Sequence, residues 1–297
     1  MKHDAIIVGG GFAGLAAATY LARARRRVYV IDSGLPRNRF ASASHGFLGR
    51  DGSSPLQILA TAREQLLAYA TVQMADAEVV KARARGDGFS VFSNSGEAIE
   101  GRKLVLAFGL HDELPDIPGL RERWGETVLH CPYCHGIEFA DRELGVLYST
   151  PTSIHQALLI AEWGPTTLYL DGASLNNADE LKLAARGVKV RAARVRALIG
   201  NGPALSAIEL DEGDAHQLAA LYITPRSRLA SPLAHQLGVE TDNGPLGPII
   251  RTGADKMTSL PGVYAAGDIA RAPHSVSWAV ADGVTAGTFV HHALVFG

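Results

Sequence analysis

The segment AIIVGGGFAGLAAATYLARARRRVYVID, residues 5–32, decides the fold class of this chain. Its first four residues form a short apolar run of the kind that fills a buried parallel strand. The alanine-rich stretch Leu15–Ala24 favours helix, and Val28–Ile31 is a second apolar run. A strand, a helix and a strand in this order predict a βαβ unit, which implies a parallel sheet with a right-handed crossover.

The turn between the first strand and the helix carries a GxGxxG pattern. The first glycine permits the tight turn, the second lets the backbone approach a pyrophosphate, and the third lets helix and strand pack closely. Phosphates would bind the N–H groups at the start of the helix. The carboxylate that ends the second strand can hold ribose hydroxyls. The predicted cofactor-binding residues of this unit are Gly9, Gly11, Phe12, Ala13, Gly14 and Asp32.

Strands and helices alternate along the rest of the chain, so we predict an α/β fold with two Rossmann-like three-layer domains. A proline-containing linker at Leu114–Gly119 and a second junction around Gly238–Pro248 mark the domain boundaries. We predict that residues 1–113 and 242–297 form a discontinuous nucleotide-binding domain. Residues 114–241 would then form a second domain inserted in it.

The composition narrows the classes of function. The 297 residues carry a formal net charge of -2, which provides no positive field for nucleic acid. The apolar stretch near the N-terminus is interrupted by glycines, so neither a signal peptide nor a membrane span is predicted. The only two cysteines lie in one CxxC motif, which favours redox chemistry in a reducing, cytoplasmic compartment.

The CxxC motif reads CPYCHG and runs from Cys131 to Gly136. Two thiols at this spacing can form a disulfide, and the N-terminus of a helix beginning there would stabilise a thiolate. Half of a zinc site is the rival interpretation, but no second CxxC or HxxxH completes it, so no metal site is predicted. Inert buried cysteines are a further alternative. The predicted catalytic residues are Cys131, Cys134 and His135, whereas His130 is a weaker candidate.

Near the C-terminus, the sequence TSLPGVYAAGD, residues 258–268, resembles the second FAD motif of the pyridine nucleotide-disulfide oxidoreductases. The segment Leu104–Gly109 resembles their Ala-Thr-Gly element, with Phe108 in place of threonine. This resemblance implies that the discontinuous domain binds FAD and that Asp268 holds the ribityl chain. The final helix would direct its first N–H groups at the flavin. The further predicted FAD-binding residues are Gly109, Gly267, Asp268, Ser275 and Val276.

The position of the CxxC motif resembles that of the low-molecular-weight thioredoxin reductases. The resemblance implies that Cys134 faces the flavin and that Cys131 exchanges with the substrate. Those reductases place an aspartate after the second cysteine, where this chain has His135, which can take a proton from an incoming thiol. The resemblance also implies a homodimer.

The chain departs from those reductases at the turn Ser149–Ser153, which contains no glycine to admit a pyrophosphate. The next strand ends at Tyr169–Gly172 without an arginine pair for a 2′-phosphate. We therefore predict that productive NADPH binding has been lost. This loss, the CPYCHG motif and the segment Ser44–Gly52 together resemble the gliotoxin- and holomycin-type dithiol oxidases. Within these segments and at the final helix, His45, Arg50 and Trp278 could line a pocket or serve structural roles.

Three functions therefore compete. The leading prediction is an enzyme that oxidises a small-molecule dithiol to a disulfide with FAD and O2. The second is a thioredoxin reductase-like enzyme that acts on a thioredoxin-like protein and draws electrons from NADPH or another donor. The third is a flavoprotein redox sensor that does not turn over.

Overall fold

The computed structural model describes residues 2–297. Its strands, in chain order, are β1 (His3–Val8), β2 (Val28–Asp32), β3 (Val72–Asp76), β4 (Val79–Arg85), β5 (Gly88–Ser93), β6 (Ala98–Leu106), β7 (Leu110–Glu113), β8 (Val128–Leu129), β9 (Leu144–Leu147), β10 (Thr166–Tyr169), β11 (Lys189–Arg191), β12 (Val195–Asn201), β13 (Ala204–Leu210), β14 (Ala215–Gln217), β15 (Ala220–Tyr222), β16 (Arg226–Leu229), β17 (Thr241–Asn243), β18 (Pro248–Ile250) and β19 (Val263–Ala265).

The α-helices are α1 (Phe12–Arg23), α2 (Pro55–Leu67), α3 (Pro132–His135), α4 (Thr152–Ile160), α5 (Asn177–Ala185), α6 (Leu233–Leu237) and α7 (Val276–Phe296). Short 3-10 helices occur at Arg121–Arg123, Ile137–Phe139 and Asp268–Ala270. Among residues 2–297, none of the helices combines the length and the hydrophobicity that crossing a membrane requires.

The first of two compact units comprises the described residues up to Arg39, together with Pro55–His111 and Ser227–Gly297. Its seven-stranded sheet has the order β3-β2-β1-β6-β5-β4, and β19 also pairs with β6. Strands β3, β2, β1, β6 and β19 are mutually parallel, as the βαβ pattern of residues 5–32 predicts. The residues 5–8 of β1, 104–106 of β6 and 263–265 of β19 are buried, and helices α1 and α7 pack against one face of these strands.

The second unit comprises Phe40–Ser54 and Asp112–Arg226. A five-stranded parallel sheet has the order β11-β10-β9-β15-β8, and a separate antiparallel sheet is formed by β12, β13 and β14. Helix α4 covers one side of the parallel sheet, where Ile154, Ala157 and Ile160 join its apolar core. Both units thus contain a parallel α/β sheet, which confirms the predicted fold class.

The boundaries of the units differ from the predicted ones at two places. The return to the first unit occurs at Ser227, not at residue 242, because α6 and the β17–β18 hairpin bury Leu233, Val239 and Ile250 in the core of the first unit. Gly244, Pro245 and Gly247 of the predicted junction lie in the turn of this hairpin, which is closed by the bond from Gly244 N–H to the Gly247 carbonyl. Residues 40–54, predicted as part of the first domain, cluster with the second unit.

Candidate active site

The first unit gathers most of its predicted cofactor-binding residues at one edge of its sheet. In the register of the parallel strands, Val8 lies opposite both Ile31 and Leu106, and Ala265 lies opposite Leu106. The turns that follow β1, β2, β6 and β19 therefore meet at the carboxyl edge. Open α/β sheets bind their ligands at this edge.

The glycines of the first turn have separate roles. Gly9 has a φ of 106°, a conformation that favours glycine, and a β-carbon there would overlap the backbone of Ala107. A β-carbon at Gly14 would overlap the Gly9 carbonyl, so this glycine sets the distance between helix and turn. At Gly11 the corresponding space is open to 4 Å. This opening lies at the start of α1, where Gly11 is the N-cap and offers no side-chain hydrogen bond, so a phosphate can reach the helix N-terminus.

Asp32 has a partner that the sequence pattern did not indicate. Its carboxylate accepts a hydrogen bond of 2.9 Å from the N–H of Gly10, and a β-carbon at Gly10 would collide with the Asp32 side chain. Gly10, which lies outside the GxGxxG pattern, therefore positions the carboxylate. The bond holds Asp32 beside the phosphate-binding turn, as ribose recognition requires.

The second FAD-like motif ends at Gly267 and Asp268, and the φ of Gly267 is 83°. Its neighbour Asp268 is bound by an arginine that the sequence analysis missed, because Arg37 is 231 positions away in the chain. The Arg37 guanidinium lies 2.8 Å from the Asp268 carboxylate and 2.7 Å from Nδ1 of His274. A polar cluster of Arg37, Asp268 and His274 therefore stands where sugar-like hydroxyls are expected to bind.

Ser275 and Val276 lie at the start of α7. The Ser275 hydroxyl accepts a bond of 3.1 Å from the N–H of Trp278, so this side chain caps the helix. Trp278 itself is partly exposed and carries the Arg271 guanidinium over its ring at 4.8 Å. Two other predicted glycines are restricted by their surroundings. A β-carbon at Gly267 would lie 3.0 Å from Ala13. Gly109, which follows β6, has a φ of 74°, a conformation that favours glycine.

In the second unit, Cys131 and Cys134 are joined by a disulfide, with their Cα atoms 5.3 Å apart. Cys131 is the N-cap of α3, and Pro132 is the first residue of this helix. The helix ends at His135 after a single turn, so the stabilisation of a thiolate by the helix dipole, expected from the sequence, is small. Tyr133 and Ile137 beside the pair are 73% and 74% exposed.

His135 is half-buried beside the disulfide. Burial lowers the pKa of its imidazole, and the negative charge of Glu138 opposes this shift. The carbonyl of His135 accepts a bond of 3.1 Å from the hydroxyl of Tyr222, which ties the end of α3 to β15. Burial therefore favours the neutral imidazole, the form that accepts a proton.

His45 lies beside His135, with the ring centroids 5.8 Å apart and the ring planes at 86°. Its Nε2 is 3.4 Å from a carboxylate oxygen of Glu138, and its Nδ1 is 3.6 Å from Asp51. Its loop is closed by pairing between Ser44 and Ser53. The sequence left the role of His45 open and did not indicate Glu138, because nothing in the spacing links the loop to the CxxC motif.

The glycine-free turn after β9 is closed by one side chain. The hydroxyl of Ser153 accepts hydrogen bonds from the N–H groups of Ser149 and Thr150, at 3.1 and 3.4 Å. Ser153 has no solvent exposure.

At the end of the next strand, the side chain of Arg194 packs over Gly172, and its Nε lies 3.2 Å from the position that a β-carbon on Gly172 would occupy. This arginine was not identified in the sequence analysis.

His130 and Arg50 are the two remaining candidates from the sequence, and each has its own structural environment. Nδ1 of His130 lies 3.3 Å from the carbonyl of Ile223, and the carbonyl of His130 accepts a bond from Gln156. Both contacts hold the strand ends of the second unit together, so they favour a structural role for His130. Arg50 is exposed in the loop that carries His45.

A parallel sheet with a glycine-rich turn at its carboxyl edge in one unit, and a cysteine pair next to a histidine in the other, are the features expected of a nucleotide-dependent thiol oxidoreductase. The model of the pyridine nucleotide-disulphide oxidoreductase family matches residues 3–283, and the chain belongs to this family. It is an FAD-dependent thiol/disulfide oxidoreductase, which confirms the predicted enzyme class and cofactor.

The chain is 31% identical to the thioredoxin reductase sirT of Leptosphaeria maculans, over 97% of this chain and 93% of the relative. It is 33% identical to the thioredoxin reductase tcpT of Claviceps purpurea, over 96% and 92%. Among solved structures, an oxidoreductase from Agrobacterium tumefaciens is similar with a TM-score of 0.95 and 42% identity, covering 100% and 99%. The structure of HlmI is similar with a TM-score of 0.94 and 38% identity, covering 99% and 93%.

The residues of the first unit fit an FAD molecule. The open space at Gly11 before the uncapped N-terminus of α1 suits the pyrophosphate, and Asp32 suits the adenosine ribose. Asp268, held by Arg37, offers acceptors to the ribityl hydroxyls. These assignments of individual residues are proposals, whereas FAD as the cofactor follows from the family.

Proposed function

We propose that this enzyme oxidises a small-molecule dithiol to a disulfide with O2 as the electron acceptor, without productive use of NADPH. The observation that carries this proposal is the turn Ser149–Ser153. In a dinucleotide-binding unit, the glycines of this turn leave its N–H groups to the pyrophosphate. Here the Ser153 hydroxyl already accepts the N–H groups of Ser149 and Thr150, and the side chain fills the turn.

The oxidised Cys131–Cys134 pair is the form that accepts electrons from a dithiol. A substrate thiolate attacks one sulfur of the disulfide and forms a mixed disulfide, which the second substrate thiol then resolves. The substrate leaves as a disulfide, and both cysteines are reduced. FAD bound by the first unit would supply the acceptor for the two electrons and two protons of the reduced cysteine pair, with O2 as the final acceptor and hydrogen peroxide as the product.

In this reaction, the role proposed for His135 is to accept the proton of the incoming thiol. His135 follows Cys134 directly, and its burial favours the neutral imidazole. Substituting His135→Asn keeps a polar side chain of similar reach but removes the base. A positioned general base contributes about 10²–10⁴-fold to rate, so a loss within this range is expected in disulfide exchange. An unchanged rate would exclude His135 from proton transfer.

A second candidate function has its own support. Relatives over nearly the whole chain are named thioredoxin reductases, and Arg194 supplies one cation near the end of β10. The alternative is therefore a reductase of a thioredoxin-like protein that draws electrons from NADPH or another donor. The reductase and the oxidase differ in the direction of electron flow. Whether NADPH reduces the flavin therefore distinguishes the two functions.

Anaerobic stopped-flow mixing of the FAD-loaded protein with NADPH separates them. We expect the flavin absorbance near 450 nm to persist with NADPH and to bleach with dithiothreitol, which serves as the positive control. Prompt bleaching by NADPH would overturn the argument from the Ser153 turn and favour the reductase.

Oxygen consumption separates the oxidase from a redox sensor. With dithiothreitol and other small dithiols, we expect one hydrogen peroxide per O2 consumed, and loss of this turnover in both Cys131→Ser and Cys134→Ser. Retained FAD absorbance in the variants shows that they are folded and loaded. A flat oxygen trace for the unmodified enzyme across the dithiols would favour the sensor.

A further inference from the structure

Three side chains of the second unit form a cluster that the proposed reaction only partly uses. One ring nitrogen of His45, one of His135 and a carboxylate oxygen of Glu138 all lie within 4.8 Å of one another. The residues come from a loop, the end of α3 and the following 3-10 helix. Two imidazoles and one carboxylate are the donor set of many three-ligand zinc sites.

One ligand pair in the cluster has the spacing expected around a tetrahedral ion. Zinc–ligand distances of about 2.0–2.1 Å place two ligand atoms of a tetrahedron roughly 3.4 Å apart. Nε2 of His45 and Oε1 of Glu138 are 3.4 Å apart. The His135 ring stands nearly perpendicular to that of His45, so the two imidazoles converge without stacking.

A second independent feature is the carboxylate behind His45. Asp51 lies 3.6 Å from Nδ1 of His45, on the opposite side of the ring from Glu138. The same Asp51 oxygen accepts a bond of 2.7 Å from the N–H of Gly46, which fixes it in the loop. Metal-binding histidines commonly direct their other nitrogen at such a carboxylate, which orients the ring and strengthens the ligand.

We propose that His45, His135 and Glu138 bind a divalent transition-metal ion, with Zn²⁺ the cation that this donor set fits. Three protein ligands leave a fourth position open to water or a thiolate. The cysteine pair is not needed as a ligand, since its sulfurs are joined in the disulfide. A bound ion occupies a ring nitrogen of His135, so metal binding and proton transfer by His135 exclude each other. Only this consequence rests on the proposed function.

The test is a zinc titration of the metal-stripped, FAD-loaded enzyme with its disulfide closed, so that thiols cannot bind the ion. We expect one Zn²⁺ per chain in competition with a chromophoric chelator. His45→Ala and Glu138→Gln should each weaken binding at least tenfold, and Asp51→Asn should weaken it by about 10–100-fold. His155→Ala, which removes an exposed histidine on α4, is the matched control and should bind like the unmodified enzyme.

Histidine modification gives a second readout of zinc binding. Saturating Zn²⁺ should protect two histidines from diethyl pyrocarbonate in the unmodified enzyme, and fewer in His45→Ala. Absence of saturable binding, or equal affinity in His45→Ala and the unmodified enzyme, would overturn the proposal and leave an adventitious ion only. Because the titration contains no substrate, its failure is distinct from failure of dithiol oxidation.

Discussion

Asp282 is a buried carboxylate on α7 whose partners are both cations. It is 5% exposed, and one of its oxygens lies 2.8 Å from Lys256 and 3.5 Å from Arg271. Removing one member of a buried charge cluster leaves the others without compensation. We expect Asp282→Asn to lower the free energy of unfolding by about 1–3 kcal/mol, measured by urea denaturation of the apoprotein.

The control for Asp282 is an ion pair on the surface. Asp242 and Arg251 are about half exposed and bind each other on the β17–β18 hairpin. Exposed pairs contribute little because water and salt screen them. Asp242→Asn should therefore unfold at the same urea concentration as the unmodified protein. Equal midpoints for the two variants would mean that the Asp282 cluster does not contribute to stability.

Tyr169 links stability to alkaline pH. Its side chain is buried, and this burial raises the pKa of its phenol to about 12. The unfolded chain releases the proton near pH 10, so the stabilisation is complete below that pH and is lost as pH rises toward 12. Between pH 9 and 11 the unmodified protein should lose about 1 kcal/mol more than Tyr169→Phe. Urea unfolding at both pH values checks this, with Tyr20→Phe as the exposed control. Equal losses in the Tyr169 variant and the unmodified protein would contradict it.

Among individual residues, the sequence indicated those that lie in local patterns and missed those whose partners are distant in the chain. Asp268 was identified from its motif, whereas Arg37 has no motif and meets it only through the fold. Glu138 likewise gains significance only when the loop with His45 folds beside α3. Ser275 shows a different case, because the predicted cofactor-binding side chain also caps α7.

At the scale of elements, the turn between β1 and α1 separates cofactor binding from packing. Gly11 has open space around the place of a β-carbon and an extended φ of -76° and ψ of -170°, which any residue can adopt. A methyl group at Gly11 therefore leaves the fold intact but enters the space for the pyrophosphate. At Gly14 the same group would overlap the carbonyl of Gly9.

The two alanine variants should consequently fail in different ways. Gly11→Ala should keep the unfolding midpoint of the apoprotein and weaken FAD binding at least tenfold, measured by fluorescence titration. Gly14→Ala should lower the stability of the apoprotein by about 1–3 kcal/mol, the usual cost of overpacking. Normal FAD affinity in Gly11→Ala would show that the pyrophosphate does not approach this turn.

Elements with strong local patterns were predicted well, and those that depend on neighbours were not. The βαβ unit of residues 5–32 carries buried strands, glycines and an alanine-rich helix that all agree with one structure. The neighbouring strands β3 and β4 are separated by only two residues but have different partners, since β3 pairs with β2 and β4 pairs with β5. The apparent junction at Gly238–Pro248 instead contains the end of α6, strand β17 and a hairpin turn, because glycine and proline mark turns within a domain as well as linkers between domains.

For the whole molecule, the homodimer stays a prediction from the resemblance to thioredoxin reductases. Sedimentation equilibrium of the FAD-loaded enzyme checks it directly, with a mass of twice the 31.4 kDa chain expected. A mass of one chain at micromolar concentration would contradict it.

The two redox centres of the chain fix how many electrons it can hold. The disulfide of the second unit accepts two electrons, and FAD bound by the first unit accepts two more. Under anaerobic conditions, complete bleaching of the flavin should therefore require two equivalents of a dithiol per chain. A titration with dithiothreitol, followed at the flavin absorbance and by the number of thiols that react with iodoacetamide, measures both centres.

The cysteine variants give this titration its control. In the double variant Cys131→Ser/Cys134→Ser, the flavin should stay oxidised on the time scale of turnover, because the proposed route from dithiothreitol to the flavin runs through the cysteine pair. Bleaching complete after one equivalent, with both cysteines still unreactive toward iodoacetamide, would mean that electrons bypass the disulfide. The exposed position of Tyr133 and Ile137 beside the pair makes direct exchange with a small dithiol the expected route. Electron flow in this enzyme would then run from the second unit to the first, opposite to that of a reductase.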